Sequence, residues 1–214
     1  MDYSSTSYGK VLLTSEYFVL KGSLALAIPT KYSQSLKFKS MHSNNLIWDA
    51  YDEKKEIWFN TEFELPSLNI VKNENEKSRV LQSILLSAQK LNSEFLNHSQ
   101  GGKVETKLDF PTNWGLGSSS TLINNISNWA NINPYELLWL NFKGSGYDIA
   151  CAKTKSSILY QLKNNKPVVK EVDFKPVFFE NLFFIYLNKK QNSNKQIEFF
   201  NKKKSENLKL VDRF

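Results

Sequence analysis

The sequence predicts an α+β fold in which strands and helices follow one another irregularly, not as regular βαβ repeats. Three observations carry this. The N-terminal stretch "GKVLLTSEYFVLKGSLALAIPTKYSQSLKFK" holds short apolar runs broken by a Lys-Gly turn. A β-rich hairpin, "LIWDAYDEKKEIWFNTEFEL", follows it. From Ser78 the apolar spacing then changes to that of a helix.

In chain order, Val11, Leu12 and Leu13 read as a strand, residues 17–20 as a second, and residues 24–28 as a third. The hairpin places its turn at residues 52–55, between Ile47-Trp48 and Ile57-Trp58-Phe59. Val80, Leu81, Ile84, Leu85, Ala88, Leu91 and Phe95 share one helical face of about five turns. Gly101-Gly102 interrupts the chain, and "KVETKLDF" alternates as a half-buried strand. A helix with Leu122, Ile126 and Trp129 on one stripe comes next. Another starts at Asn133, with Pro134 at its first position and Glu136 at the capping position. "SSILYQL" and "NLFFIYL" read as strands, and "SNKQIEFFNKKKSENLKLV" as a helix.

With 214 residues, 41% of them hydrophobic, the chain is able to bury a real core. Fifteen Phe, nine Tyr and five Trp argue against disorder. The start "MDYSSTSYGK" lacks the apolar segment of a signal peptide, and no apolar run approaches a membrane span. A lone cysteine, Cys151, allows no internal disulfide framework. A cytoplasmic protein without a membrane partner is expected. The net charge of +7 is concentrated near the C-terminus, and no nucleic-acid-binding pattern accompanies it. Nucleic acid is therefore not an expected partner, whereas positive potential suits small anionic substrates. His42, His98 and Cys151 carry no motif chemistry.

The stretch "FPTNWGLGSSSTLINNISNWAN", residues 110–131, holds the main chemical signal. It contains no G-x-x-x-x-G-K-S/T run, and Ser120 stands where a dinucleotide fingerprint needs its third glycine. The physics of anion binding remains. Glycines let the backbone approach a phosphate, and a helix N-terminus directs unpaired N–H groups and partial positive charge at it. Serine hydroxyls there suit phosphate or Mg²⁺. The plainer alternative is a flexible turn with a serine cap.

Three stretches together resemble the GHMP kinase superfamily, the small-molecule kinases of mevalonate, phosphomevalonate, homoserine and galactose. Pro111-Thr112-Asn113-Trp114-Gly115-Leu116-Gly117-Ser118-Ser119-Ser120 is similar to that family's P-x-x-x-G-L-G-S-S-A/S loop. "GKVLLTSEYFVLKGSLALAIPT" resembles its opening motif, with Ser15 where glycine is common. "KGSGYDIACAKTKSSILYQL" resembles its Asp-bearing block, in a form close to the phosphomevalonate kinases and to bacterial homologues carrying "GYDIA". The resemblance implies a GHMP kinase fold, with a ribosomal-protein-S5-domain-2-like N-terminal domain over residues 1–175. Residues 176–214 would then begin a ferredoxin-like C-terminal domain.

It also implies ATP and Mg²⁺ as cofactors and a small-molecule substrate, with mevalonate or phosphomevalonate favoured as acceptor and isoprenoid biosynthesis as the setting. Gly115, Leu116, Gly117, Ser118 and Ser119 would wrap the nucleotide phosphates, with the Ser119 hydroxyl on Mg²⁺; Ser120 is expected only to cap the helix. Asp148 would take or orient the acceptor proton, and Lys10 would lie beside it and the moving phosphate. Glu16 and Tyr17 would line the acceptor pocket, although Tyr17 also reads as ordinary core of a β-run.

Two parts of the family pattern are missing. Glu136 is poorly spaced to be a second Mg²⁺ ligand and is explained as a capping residue. Gly146 is the last glycine, so no glycine-rich loop follows it. A C-terminally shortened form is expected, whose incomplete sheet favours self-association or a homodimer. A homoserine or sugar kinase, a decarboxylase of the same fold, and a non-catalytic nucleotide- or partner-binding protein stay open as alternatives.

Overall fold

A computed structural model describes residues 2–97, 100–186 and 199–200. Its centre is one long strand, β2 (Ala25–Ser40). Strand β1 (Tyr3–Leu12) runs antiparallel along one edge of it. The opposite edge is shared by β6 (Gly102–Leu108) and β7 (Ser157–Lys163), both antiparallel and placed end to end. Among the described residues the sheet has eight strands. Beyond β6 it continues through β3 (Asn45–Tyr51), β4 (Ile57–Glu64) and β5 (Asn69–Lys72), and beyond β7 it ends at β8 (Lys166–Val172). The β3–β6 pair is parallel and the remaining pairs are antiparallel. The expected α+β class is what the chain adopts.

The hairpin turn falls where the sequence places it. Asp52 Oδ1 accepts the backbone N–H groups of Lys54 and Glu56, each at 2.9 Å, and so closes the connection between β3 and β4. Helix α1 (Glu76–Leu91) starts two residues before Ser78, because Asn75 caps it in a reciprocal box with Ser78. Leu81, Ile84, Leu85 and Ala88 face the core, whereas Val80 is exposed. Helix α2 (Ser118–Ala130), α3 (Pro134–Asn141) and α4 (Tyr147–Lys153) follow. Asn133 Oδ1 accepts the Tyr135 N–H at 3.0 Å, and Glu136 accepts from the Asn133 amide at 3.1 Å, so Glu136 is engaged at the cap of α3.

Leu36, Leu46, Trp48, Phe63 and Val104 from the sheet pack against α1 and against Ile123 and Ile126 of α2. A second cluster joins Ala25, Ala27, Ile158 and Tyr160 to Ala150 and Cys151 of α4. Helix α2 departs from its expected apolar stripe. Its buried face includes Thr121, Asn124, Asn125 and Ser127, while Leu122 and Trp129 are half-buried. Asn125 Oδ1 accepts from Ser5 (2.9 Å) and Ser7 (2.8 Å), and its amide donates to the Gln34 carbonyl at 2.8 Å. Thr121 Oγ1 donates to Gln34 Oε1 at 2.7 Å, and the Asn124 amide donates to Ser7 Oγ at 2.9 Å. Bonds of this kind are directional where apolar contacts are not, so they fix the rotation and height of α2 on β1 and β2.

Three expectations are corrected. Residues 18–21 form a 3-10 turn, Phe18–Lys21, not a strand, with Gly22 closing it at φ 88°. Strand β8 was not expected; a two-residue connection, Asn164-Asn165, with φ 49° and 59°, makes the β7–β8 hairpin, and asparagine tolerates that geometry. The strand expected over residues 181–187 is not formed in its described part: Phe179–Asn181 is a 3-10 turn and residues 182–186 carry no regular structure. Phe183, Phe184 and Ile185 are exposed there. The helix expected near the C-terminus lies outside the described residues except for Phe199 and Phe200, which are helical. His98 also lies outside them. No helix among the described residues is long and apolar enough to cross a membrane.

Candidate functional site

Strand β1, the glycine-serine loop and the start of α4 meet at one place. The pairing of β1 with β2 slips between Tyr8 and Lys10, where Gly9 sits. A β-carbon at Gly9 would lie 2.7 Å from Thr30 Oγ1 and 3.0 Å from the Leu116 carbonyl oxygen. Only glycine lets the strand and the loop come this close. Pro29 stands opposite Lys10 on β2 and has no N–H to offer its carbonyl, while the Lys10 N–H donates to the Leu116 carbonyl at 2.9 Å. A bulge of this kind re-aims a side chain. Here it sends Lys10 toward the loop.

The loop reaches α2 through two glycines at positive φ, Gly115 (73°) and Gly117 (87°), and Gly117 is the residue before the first helical turn. Ser120 is buried and its hydroxyl donates back to the Gly117 carbonyl at 2.8 Å; it caps none of the free N–H groups, contrary to the expectation, because Gly117 is the N-cap residue and makes no side-chain bond. Ser119 is exposed and Ser118 half-buried in the first turn. There the backbone N–H groups have no helical partner to bond, which leaves them for an anion.

Asp148 lies in the first turn of α4, half-buried, with Oδ1 accepting its neighbour's N–H (Ile149) at 3.0 Å. The turn before it is held from two sides. Gly146 has φ 88°, and a β-carbon there would meet the Tyr135 ring at 3.0 Å and the Tyr160 hydroxyl at 3.3 Å. That hydroxyl donates to the Ser145 carbonyl. Helices α2 and α4 pack against each other and both against β1, which brings the loop and Asp148 together.

Electrostatics ties these residues into one group. Burial lowers the Lys10 pKa, but Tyr147, Asp148 and Glu16 outweigh it and hold the ammonium above its ordinary range. Burial pushes the Tyr147 hydroxyl up to about 12, aided by Asp148 and Glu16 and opposed by Lys10. Burial and Asp148 likewise push the Cys151 thiol up to about 12, which leaves it protonated near neutrality, in keeping with its lack of assigned chemistry.

Lys10 thus lies against Leu116 and Gly117 of the loop and within electrostatic reach of Asp148 and Glu16, with Gly115 just before these loop residues and Ser118 and Ser119 in the turn that follows. Tyr17 is half-buried at the head of the 3-10 turn, with φ 59°, and not in a β-run; its ring stacks 5.4 Å from that of Phe200. Glu16 beside it is exposed. Trp114 is exposed and packs edge-on against Tyr32, with ring centres 5.5 Å apart. Tyr147 and Gly9 were not singled out from the sequence, although the quoted "GYDIA" and "GK" stretches contain them.

Ser15 stands where the family pattern commonly has glycine, and its φ is 64°. Its hydroxyl donates to the Leu24 carbonyl at 2.6 Å, which offsets the strain. Ser15→Ala keeps the strain and loses the bond, so it is expected to destabilise by about 1 kcal/mol. Ser15→Gly loses the bond but relieves the strain and should stay within about 1 kcal/mol of the parent. Urea midpoints would compare them; equal losses would mean the strain at Ser15 is negligible.

No protein-family model and no curated protein matches the chain. Solved structures do. Methanococcus jannaschii mevalonate kinase is similar over 100% of this chain and 71% of its own, at 17% identity and a TM-score of 0.60. Lactococcus lactis galactokinase, complexed with galactose, is similar over 81% of this chain at 16% identity and a TM-score of 0.60. Streptococcus pneumoniae phosphomevalonate kinase, bound to phosphomevalonate and AMPPNP, is similar over 74% at 19% identity and a TM-score of 0.52. The chain spans about half the length of the last two, 48% and 49%. At these identities the likeness establishes the fold.

Proposed function

Because the chain has the fold of the GHMP kinases, we propose that it forms the nucleotide-binding frame of an ATP-dependent small-molecule kinase. What carries this is the meeting of Lys10, the Gly115–Gly117 turn and Asp148, supplied by three distant stretches of sequence. Residues 1–175 would be the ATP-binding unit, and residues 176–214 the start of a second domain. Alternating glycines and the first turn of α2 are suited to the β- and γ-phosphates. Ser119, exposed on that turn, presents an oxygen of the kind Mg²⁺ accepts, and Mg²⁺ commonly takes few protein ligands beside phosphate and water. The ion would screen the phosphate charge.

In the transfer, the acceptor oxygen bonds to the γ-phosphorus as its bond to the ADP oxygen breaks. Asp148 accepts or orients the proton leaving that acceptor. Lys10 holds positive charge beside the moving group. "GSGYD" and the likeness to the mevalonate and phosphomevalonate kinases favour a mevalonate-type acceptor, while the galactokinase likeness supports a sugar.

Calorimetric titration with Mg·ATP tests the frame. The parent chain is expected to bind, and Ser119→Ala to bind about ten-fold more weakly, the loss of one ligand to a charged partner. Equal affinity would remove Ser119 from the metal site, and no binding by the parent would overturn the kinase assignment for this chain. ADP release that depends on one acceptor would then identify the substrate.

A further inference from the structure

Tyr147 stands where the two glycine-led helix starts approach each other. The Lys10 ammonium lies 5.3 Å from the centre of its ring. Gly117 also borders this lysine: a β-carbon there would come within 3.2 Å of Lys10 Cγ and 3.3 Å of Cε. The side chain of Lys10 is therefore in reach of both the glycine that opens α2 and the tyrosine that opens α4. Its backbone is fixed as well, by the register slip against β2 and the bond to Leu116.

We propose that Tyr147 is a positioning residue that clamps Lys10 against Gly117, so that the ammonium is held at the mouth of the glycine-serine loop beside Asp148. The purpose of the clamp rests on the kinase proposal; its existence rests on the geometry alone. A lysine that neutralises a transferring phosphoryl group must remain protonated. It must also not collapse onto the carboxylate that handles the acceptor proton. A tyrosine meets both needs, because its ring face attracts a cation and its hydroxyl accepts from an ammonium. Glycine at 117 completes the device, since any larger residue would push the lysine stem out of the gap.

The charged and titratable groups around the clamp come from three elements. Glu16 approaches from the turn after β1, Asp148 and Cys151 from α4, and Tyr135 of α3 faces Asp148. Glu16, Asp148 and Tyr147 favour the protonated lysine, and burial opposes it. Removing the Tyr147 hydroxyl leaves burial less compensated, so the free amine becomes easier to form.

The test does not require catalysis. Acetic anhydride acetylates free amines, and mass spectrometry of the digested full chain reads each lysine separately. At a fixed alkaline pH, Tyr147→Phe is expected to raise the rate of Lys10 acetylation about ten-fold, because more of the amine is then unprotonated. Lys37, paired with Ser4, and Lys54, in the turn between β3 and β4, serve as internal references. Phenylalanine keeps the packing ring, so the variant is expected to fold; Tyr147→Leu removes ring and hydroxyl and should raise the rate further. Unchanged Lys10 reactivity in both variants would overturn the clamp. Mg·ATP calorimetry on the same proteins separates the two ideas. A parent chain that binds no Mg·ATP defeats the kinase proposal and leaves the acetylation result standing. A parent that binds, with a Tyr147→Phe variant that binds equally well, would show that the clamp does not serve the nucleotide and would overturn its positioning role.

Discussion

Asp148→Asn is expected to lower acceptor-dependent turnover by about 10²- to 10⁴-fold while Mg·ATP still binds. The substitution keeps shape and position. The amide side chain would retain an oxygen able to accept the Ile149 N–H, which Asp148 accepts at 3.0 Å, and the packing of α4 against α2 and β1 would be unaltered. What disappears is the carboxylate charge at the mouth of the loop. That charge is needed to receive or orient the proton, and it also helps to keep Lys10 protonated. Loss of a carboxylate from the first turn of a helix would itself cost no more than about 1 kcal/mol, too little to explain a collapse of rate by unfolding. ADP release with the identified acceptor reads turnover, and calorimetry reads the nucleotide. Turnover that survives with full nucleotide binding would reduce Asp148 to a helix-terminal carboxylate.

Gly117→Ala is expected to weaken Mg·ATP binding by about ten-fold or more and to lower stability by about 1–3 kcal/mol. Two causes add. The backbone φ of 87° is strained for any residue with a β-carbon. That carbon would also stand 2.7 Å from Ser120 Oγ and 3.2 Å from Lys10 Cγ, so the Ser120 hydroxyl and the lysine must both shift. Gly115→Ala separates these causes. Its φ is 73°, but a β-carbon there meets nothing within 4 Å, so it imposes strain without a clash. Stability should fall less in Gly115→Ala, by about 1 kcal/mol from strain alone, and both stability and affinity should fall further in Gly117→Ala. Equal affinities would mean that Lys10 does not depend on the space Gly117 leaves.

Much of the fold is written locally. The Asp52 turn, the Asn75 and Asn133 caps and the helical spacing from Leu81 to Ala88 depend on neighbours a few residues away, and the turn, the Asn133 cap and the helix fall where the sequence predicts them. The glycine-serine loop is local too, because positive φ at Gly115 and Gly117 is a property of the residue type. Its expected partners Lys10 and Asp148 followed from the resemblance of three short stretches to one family.

The errors share a different cause. Residues 17–21 are as apolar as a strand, yet positive φ at Ser15 and Tyr17 and a closing Gly22 bend them into a 3-10 turn whose Val19 fills the second core cluster. The buried face of α2 looks too polar in sequence, because Asn124, Asn125 and Thr121 become acceptable only once Ser5, Ser7 and Gln34 arrive from strands about a hundred residues away. Tyr147 reads as one more apolar residue in a short helix until the bulge at Gly9 turns Lys10 toward it.

By itself, then, the sequence determined which segments could turn, cap and alternate, and which stretches hold the glycines, serines and carboxylate suited to phosphate chemistry, since these depend on single residues and their near neighbours. Only the tertiary structure decided that β1, the loop and α4 converge, because a contact between Lys10, Gly117 and Tyr147 is set by strand register, a bulge and the seating of α2, none of which local propensity encodes.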